Sequence, residues 1–240
     1  AIHMDTINWI LPTIAKELAS GNSTLMVTSG FFYGMMIGHL LVGPISDMIG
    51  KKKTMLLGFV ICIVGAVIGA NSHALGGLIA ARLIQGFGGA ATSNAARATG
   101  GDAGKGKASA MALTFMQVFS GAIPIILPLS GKWVGNAFGW AAIFWLQAII
   151  CGVLCILMLI FVEETSTTSG KGCFQRMGVE IKSCLLTPEY VLFTLCFAFN
   201  MALFFCYAGS ASFAMVTELG MDNGAYANMY AINAATMVVG

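Results

Sequence analysis

Long apolar stretches recur along almost the whole chain, and they limit its possible folds more than any other feature. Several reach the roughly 20 residues that an α-helix needs to cross a bilayer. Only 9% of the 240 residues are charged, whereas a soluble domain carries about 25%. The sequence therefore predicts an all-α membrane protein. We place its spans at residues 1–16, 24–43, 54–71, 76–98, 108–130, 141–162, 190–208 and 225–240.

The second span carries glycines at a four-residue spacing. Gly30, Gly34 and Gly38 fall on one face of the predicted helix. Small residues let the backbones of membrane helices approach closely, since lipid provides no hydrophobic force between them. We expect this face to form a contact between helices.

Basic residues are distributed unequally between the two sides of the predicted bundle. Lys16 and Lys132 follow odd-numbered spans, whereas nine basic residues follow even-numbered spans. Because cytoplasmic loops are enriched in lysine and arginine, the even-numbered links are predicted to face the cytoplasm. The nine residues are Lys51, Lys52, Lys53, Arg97, Lys105, Lys107, Lys171, Arg176 and Lys182.

The longest polar segment divides the chain into two parts. We interpret residues 163–189 as a cytoplasmic linker between an N-terminal six-helix half, residues 1–162, and the first helices of a second half, residues 190–240. Many transporters are built from two such repeated halves. The first predicted span is short and the last runs apolar to the final residue, so we expect the chain to be a portion of a longer protein.

Two ionisable residues lie within predicted spans, where a charge is costly and marks a candidate functional site. They are Asp5 in the first span and Arg82 in the fourth. We expect both to line a polar cavity, with Asp5 carrying a coupling proton and Arg82 providing a fixed positive charge. The alternatives are a solvated Asp5 near the membrane surface and a structural Arg82 bonded to backbone carbonyls. Asn8 and Gln85 are candidates for contact with the substrate, and Gln85, one turn after Arg82, is alternatively a hydrogen-bond partner of Arg82.

The fifth span contains a helix-loosening segment. Gly121, Pro124 and Pro128 lie within about two helical turns of one another in "SGAIPIILPLSG", and proline removes a backbone donor and clashes with the preceding turn. We expect a kink at this segment. A gating hinge and a purely structural bend remain equally open.

Other kinds of chemistry have no matching sequence pattern. Histidines and cysteines lack the spacing of a metal site, and no phosphate-binding glycine loop or nucleophile elbow is present. A net charge of +2 is too small to indicate a nucleic-acid partner. We therefore expect no enzymatic activity, no cofactor, no metal and no nucleic acid.

Five pieces of the sequence resemble motifs of the major facilitator superfamily. "GPISDMIGKKK" resembles the loop motif after helix two, "RLIQGFGGAA" the helix-four motif, and "ARATGGD" the Arg-and-Asp pattern that follows it. "GAIPIILPLSG" is similar to the proline-glycine motif of antiporters. "MDTINWILPTIA" is similar to the first-helix signature of twelve-helix drug/proton antiporters, particularly the bicyclomycin-resistance type.

The match to these motifs is incomplete in two places. Met48 follows the loop aspartate where the family usually has a basic residue, which weakens a charge relay through that position. "LPLSGK" stands in place of the more usual alanine-proline and double-glycine pattern, which weakens the assignment to antiporters.

The resemblance implies a conformational gate at one end of the helices. In this family the loop aspartate, here Asp47, and the glycines Gly43 and Gly50 dock helix two against the second half and stabilise the outward-facing state. Alternatively, this loop only marks the orientation of the chain. The resemblance adds to the gate the residues Lys52, Lys53, Arg97 and Asp102.

The resemblance also implies a fold and a function. The expected fold is the major facilitator fold, and the expected function is proton-coupled antiport, which exports small amphipathic compounds or drugs by alternating access. Its partners would be a small-molecule substrate, protons and the lipid bilayer of the bacterial inner membrane, with a monomer as the functional unit. A proton-coupled importer of a nutrient, such as an organic acid or sugar, is the main alternative. A channel and a membrane-embedded enzyme are the other classes considered.

Overall fold

The computed structural model describes residues 7, 14, 25–102, 106–162, 173–221, 225, 228, 229 and 232. The regular structure in these residues is entirely helical, which confirms the predicted fold class. The helices in chain order are α1 (Leu25–Ile49), α2 (Lys51–Ala70), α3 (Leu75–Asp102), α4 (Lys107–Phe138), α5 (Trp140–Phe161), α6 (Cys173–Leu185) and α7 (Pro188–Phe213), followed by a π-helical turn at Ala214–Glu218.

Helix α1 extends further than its sequence suggests. We predicted an end at residue 43, before Pro44, and this is wrong because α1 continues through a buried Pro44 to Ile49. Proline removes one backbone donor, but neighbouring groups in a membrane bundle can satisfy the freed carbonyl, so the helix need not stop. The lysines expected in a loop form the first turn of α2 instead.

One glycine makes the turn between α1 and α2. Gly50 has φ 99° and ψ 150°, a backbone conformation that is essentially restricted to glycine. Its N–H donates to the carbonyl of Ser46 at 2.9 Å, and its own carbonyl accepts from the N–H of Thr54 at 3.0 Å. The turn therefore reverses the chain while keeping backbone hydrogen bonds on both sides.

Helix α3 lies at the centre of the described bundle, with α1 on one side and α2 on the other. A β-carbon added to Gly34 of α1 would overlap the carbonyl of Leu83, and one added to Gly86 of α3 would overlap the carbonyl of Phe31. All three glycines of the predicted face of α1 are buried against α3. The predicted helix contact is confirmed.

The other side of α3 packs against α2 in a similar way. A β-carbon on Gly88 would lie 2.7 Å from the carbonyl oxygen of Gly58, and one on Gly58 would lie 2.9 Å from the carbonyl oxygen of Gly88. Glycines thus let three backbones pack as one layer. Helix α2 in turn packs against α5.

An apolar cluster fills the end of the bundle where α1, α3 and α5 begin. It joins these helices to α7 and to two described residues of the first predicted span. Its buried members are Ile7, Ile14, Val27, Leu78, Ile143, Phe144 and Ala211.

Three of the described helices are long and apolar enough to cross a membrane, namely α1, α2 and α5. Helix α6 lies inside the segment that we interpreted as a linker, and it contacts α1 and α7. The division of the chain at residues 163–189 stays a prediction.

Candidate functional site

Arg82 is fully buried in the described part of the bundle, with 0% of its surface exposed. It lies in the second turn of α3, one helical turn after Leu78 of the apolar cluster. Removing a guanidinium from water is costly unless hydrogen bonds or other groups compensate. The groups around Arg82 must therefore offset the cost of removing its guanidinium from water.

A chain of buried polar side chains begins at Arg82. Its Nη1 donates to Oε1 of Gln85 at 3.0 Å, and Nε2 of Gln85 donates to Oε1 of Gln147 at 3.0 Å. All three side chains have 0% exposure. Gln85 is one turn further along α3, whereas Gln147 comes from α5. The contact between Arg82 and Gln85 is one of the two roles that the sequence suggested for Gln85.

The ring of Phe31 provides a second contact for the Arg82 guanidinium. The guanidinium carbon lies 4.9 Å from the ring centroid, within the range of a cation–π interaction, which is worth about 2 kcal/mol when both groups are desolvated. Phe31 belongs to α1, so Arg82 is held by side chains from α1 and α3. The arrangement fixes a permanent positive charge among apolar helices.

Asp5 and Asn8 lie outside the described residues. Ile7 lies between them in the sequence, and it is 1% exposed and belongs to the same apolar cluster as Leu78. The proposed cavity between Asp5 and Arg82 therefore stays a prediction.

At the opposite end of the bundle, two charged residues of the expected gate, Lys52 and Asp102, take part in contacts between helix ends. Lys51 forms an ion pair with Asp102, and its Nζ also donates to the carbonyl of Ala98 at 3.3 Å. Nζ of Lys52 donates to the carbonyl of Leu159 at 3.2 Å. The first turn of α2 thus contacts the last turns of α3 and α5, where a helix dipole favours positive charge.

Gly43 and Asp47 occupy one exposed stripe of α1, one turn apart. A β-carbon on Gly43 would meet no atom of the described residues within 4 Å. Lys53 and Arg97 are also exposed, and neither takes part in the contacts that join the ends of α2, α3 and α5. The residues expected at the gate thus fall into two groups. Gly43 and Asp47 lie on an exposed face of α1, whereas Lys52 and Asp102 take part in contacts between the ends of α2, α3 and α5.

The two sites are far apart along one helix. Twenty residues of α3 separate Arg82 from Asp102, which corresponds to about 30 Å at 1.5 Å per residue. Coupling between them would have to act through the packing of whole helices.

Helix α4 runs without interruption from Lys107 to Phe138. Gly121, Pro124 and Pro128 lie on this helix, but the packing around them is outside the part of the structure that is described, so the expected kink stays a prediction. Within the described ranges, no three histidine, cysteine, aspartate or glutamate side chains are grouped to hold a metal ion.

Three residues of these sites were not recognised from the sequence. Gln147 is the one amide in the apolar sequence of α5, and the rule for charged residues in membrane spans, extended to amides, would have found it. Lys51 was treated only as part of a basic cluster, and Phe31 has no local signal. Its role depends on the crossing of α1 and α3.

Known proteins match the chain over most of its length. Among curated relatives, a bicyclomycin resistance protein homolog from Haemophilus influenzae is 27% identical, with 94% of the chain and 57% of the relative covered. The multidrug resistance protein MdtL from Klebsiella pneumoniae is 25% identical, with 93% and 57% covered. The chain therefore spans little more than half the length of these relatives.

The fold has a counterpart among solved structures. The crystal structure of the human organic anion transporter MFSD10 (TETRAN) matches with a TM-score of 0.63 at 14% identity, covering 95% of the chain and 59% of that structure. The family model described as Major Facilitator Superfamily matches residues 1–240. These matches confirm the resemblance drawn from the sequence motifs. The chain belongs to the Major Facilitator Superfamily.

Proposed function

We propose that the chain is the N-terminal portion of a proton-coupled antiporter that exports small amphipathic compounds or drugs by alternating access. The observation that carries the proposal is the buried Arg82 with its polar partners Gln85 and Gln147. A fixed cation inside a membrane helix bundle is expected at a substrate or proton pathway.

The relatives support the export of drugs. Their names refer to resistance to bicyclomycin and to multiple drugs, and identities of 25–27% to these two leave the substrate open. Bicyclomycin is therefore a suitable first probe.

In the proposed mechanism, Asp5 takes up and releases the coupling proton. Arginine stays protonated, so Arg82 can attract the ionised carboxylate without titrating itself. When Asp5 is protonated this attraction is lost, which changes the balance between the outward-facing and inward-facing states. Ile7 supports the pairing, since it packs in the same cluster as Leu78, one turn before Arg82.

We further propose that the exposed stripe of α1 is the gate. Gly43 leaves open space above the helix backbone, and Asp47 is exposed one turn later. A helix of the second half could approach Gly43 closely and place its N-terminus near the Asp47 carboxylate. We expect the full-length transporter to lie in the bacterial inner membrane and to function as a monomer.

The proposal is tested in vesicles that contain the full-length transporter, with wild type beside Asp5→Asn. Bicyclomycin is added after a pH gradient has been imposed, and a pH-sensitive dye reports proton movement. We expect bicyclomycin to dissipate the gradient in wild type only. Bicyclomycin flux without proton movement in either protein would indicate uniport or another coupling ion, and would return Asp5 to a structural role.

A further inference from the structure

The hydrogen bonds between the buried side chains can run in only one direction. An arginine donates and never accepts, so Gln85 must present its amide oxygen to Arg82. The amide nitrogen of Gln85 then points away from Arg82, and it donates to Oε1 of Gln147. The two ends of an amide are often hard to assign, but here the cation removes the ambiguity. Gln147 is therefore required as an acceptor.

The environment of Gln147 makes this requirement strict. Its neighbours on the buried face of α5 are Ile143, Phe144, Ala148 and Cys151, and water is not available to replace a lost acceptor at 0% exposure. A buried donor without an acceptor carries its full desolvation cost. Without Gln147, the amide nitrogen of Gln85 would lack this acceptor, and a rotation that brought it to another acceptor would move the amide oxygen away from the guanidinium of Arg82.

The orientation of Gln85 in turn affects the position of the charge. Gln85 is packed tightly, since a β-carbon on Gly65 of α2 would lie 2.7 Å from its Cγ. Its backbone carbonyl accepts from the thiol of Cys62 at 3.6 Å. The stem of Gln85 is thus fixed by α2 and α3, and the remaining freedom is the rotation of its amide group.

We propose that Gln147 is a positioning residue, which holds the amide of Gln85 so that its oxygen faces Arg82 and keeps the guanidinium in place for proton coupling. The link to coupling rests on the proposed function of Arg82. The residue acts through Gln85, so its acceptor oxygen matters, whereas its volume and general polarity do not.

Three variants of the full-length transporter separate these properties. Gln147→Met keeps the volume and removes the strong acceptor. Gln147→Asn keeps the amide but withdraws it by about 1.5 Å, one carbon–carbon bond, and is the milder change if Gln147→Met does not accumulate. Gln147→Glu keeps an acceptor oxygen in either protonation state. Leu146→Met serves as the control for a substitution at the adjacent position of α5.

Bicyclomycin-driven proton flux is measured in vesicles over a range of pH. We expect Gln147→Met to reduce the flux about tenfold and to shift the pH of half-maximal flux by about one unit. Gln147→Asn should change both in the same sense, and Gln147→Glu should retain most of the flux. Wild-type flux and pH dependence in both Gln147→Met and Gln147→Asn would overturn the proposal, as would an equal loss in all three variants.

A second measurement tests the positioning role of Gln147 independently of any transport assay. Thermal stability is compared for wild type, Arg82→Met, Gln147→Met and the double variant. Since Arg82 and Gln147 act through the same glutamine, the two effects should be non-additive. Additive effects would overturn the positioning role. Non-additive effects together with an absence of proton flux in wild type would reject the proposed antiport and leave the positioning role in place.

Discussion

Phe31 contacts α3 with both its backbone and its side chain. Its carbonyl oxygen occupies the space where a β-carbon of Gly86 would lie, and its ring faces the guanidinium of Arg82 at 4.9 Å. The same residue thus determines how closely α1 approaches α3 and how the buried cation is stabilised. Helix packing and the candidate site are therefore not independent.

Replacing Gly86 by alanine should destabilise the protein. The added methyl group meets the carbonyl of Phe31 and the backbone nitrogen of Met35 at 2.9 Å, and overpacking of this kind costs about 1–3 kcal/mol. Gly89→Ala is the matched control, since its β-carbon meets no atom of the described residues within 4 Å and alanine favours helix. Thermal unfolding of purified full-length protein should show a lower Tm for Gly86→Ala alone. Equal Tm values would mean that α1 and α3 are further apart.

Gly50 and Gly43 should respond differently to the same substitution. Gly50→Ala forces alanine into φ 99°, which costs about 1–3 kcal/mol, so Tm should fall. Gly43→Ala is in a helix, and its β-carbon meets no atom within 4 Å in the part of the chain that the structure describes, so Tm should not fall. If this face docks against the second half, Gly43→Ala will still reduce bicyclomycin transport severalfold. Normal transport by Gly43→Ala would argue against close docking there.

Asp47→Asn should separate transport from folding at the same face. The side chain is exposed, where a polar contact is worth about 0–1 kcal/mol, so its replacement should change Tm little and leave the amount of protein in the membrane unchanged. Transport should decrease because an amide interacts more weakly than a carboxylate with a helix N-terminus. Full transport by Asp47→Asn would contradict a gating role and would mean that the segment around Asp47 only marks the orientation of the chain in the membrane.

The ion pair between Lys51 and Asp102 should contribute little to stability. The Asp102 side chain is 47% exposed, and pairs of this kind are worth about 0–1 kcal/mol. We expect Asp102→Asn to lower Tm slightly at low salt and not at high salt, because salt screens exposed charges. The charge-reversed pair, Lys51→Asp with Asp102→Lys, should recover part of the loss. A large, salt-independent loss would indicate that Asp102 has a further role in packing.

Cys62 and Cys151 should form a disulfide on oxidation. Both are buried, and the thiol of Cys62 lies near that of Cys151 where α2 packs against α5. In a variant whose other cysteines are serine, the membrane-permeant oxidant diamide should lower the intact mass by two hydrogens and raise Tm, since a disulfide typically adds about 2–4 kcal/mol. Transport should continue because both helices lie in the proposed first half. Two free thiols after oxidation would show that the helices are further apart.

The sequence was sufficient to predict helices α1 to α5, α7 and the glycine contacts, because these depend on local composition and periodicity, whereas the polar helix α6 was not predicted. It misplaced the turn at Pro44, since whether a proline ends a membrane helix depends on the neighbouring helices that satisfy the freed carbonyl. The lysines after Gly50 were likewise assigned to a loop although they begin α2.

The candidate site was only partly predictable for a similar reason. Arg82 is recognisable as a charge in an apolar span, and Gln85 is recognisable as its neighbour one turn away. Gln147 lies 62 positions from Gln85, and Phe31 reaches Arg82 only because two glycines permit a close helix crossing. Such contacts depend on tertiary structure, which no local pattern contains.

The glycine contacts of α3 have a mechanical consequence. With α1 on one side and α2 on the other, and backbone atoms close to each other at the glycine crossings, there is little compressible material between the three helices. We therefore expect a displacement of α3 at the buried cation to carry α1 and α2 with it, so that the far ends of all three helices move together.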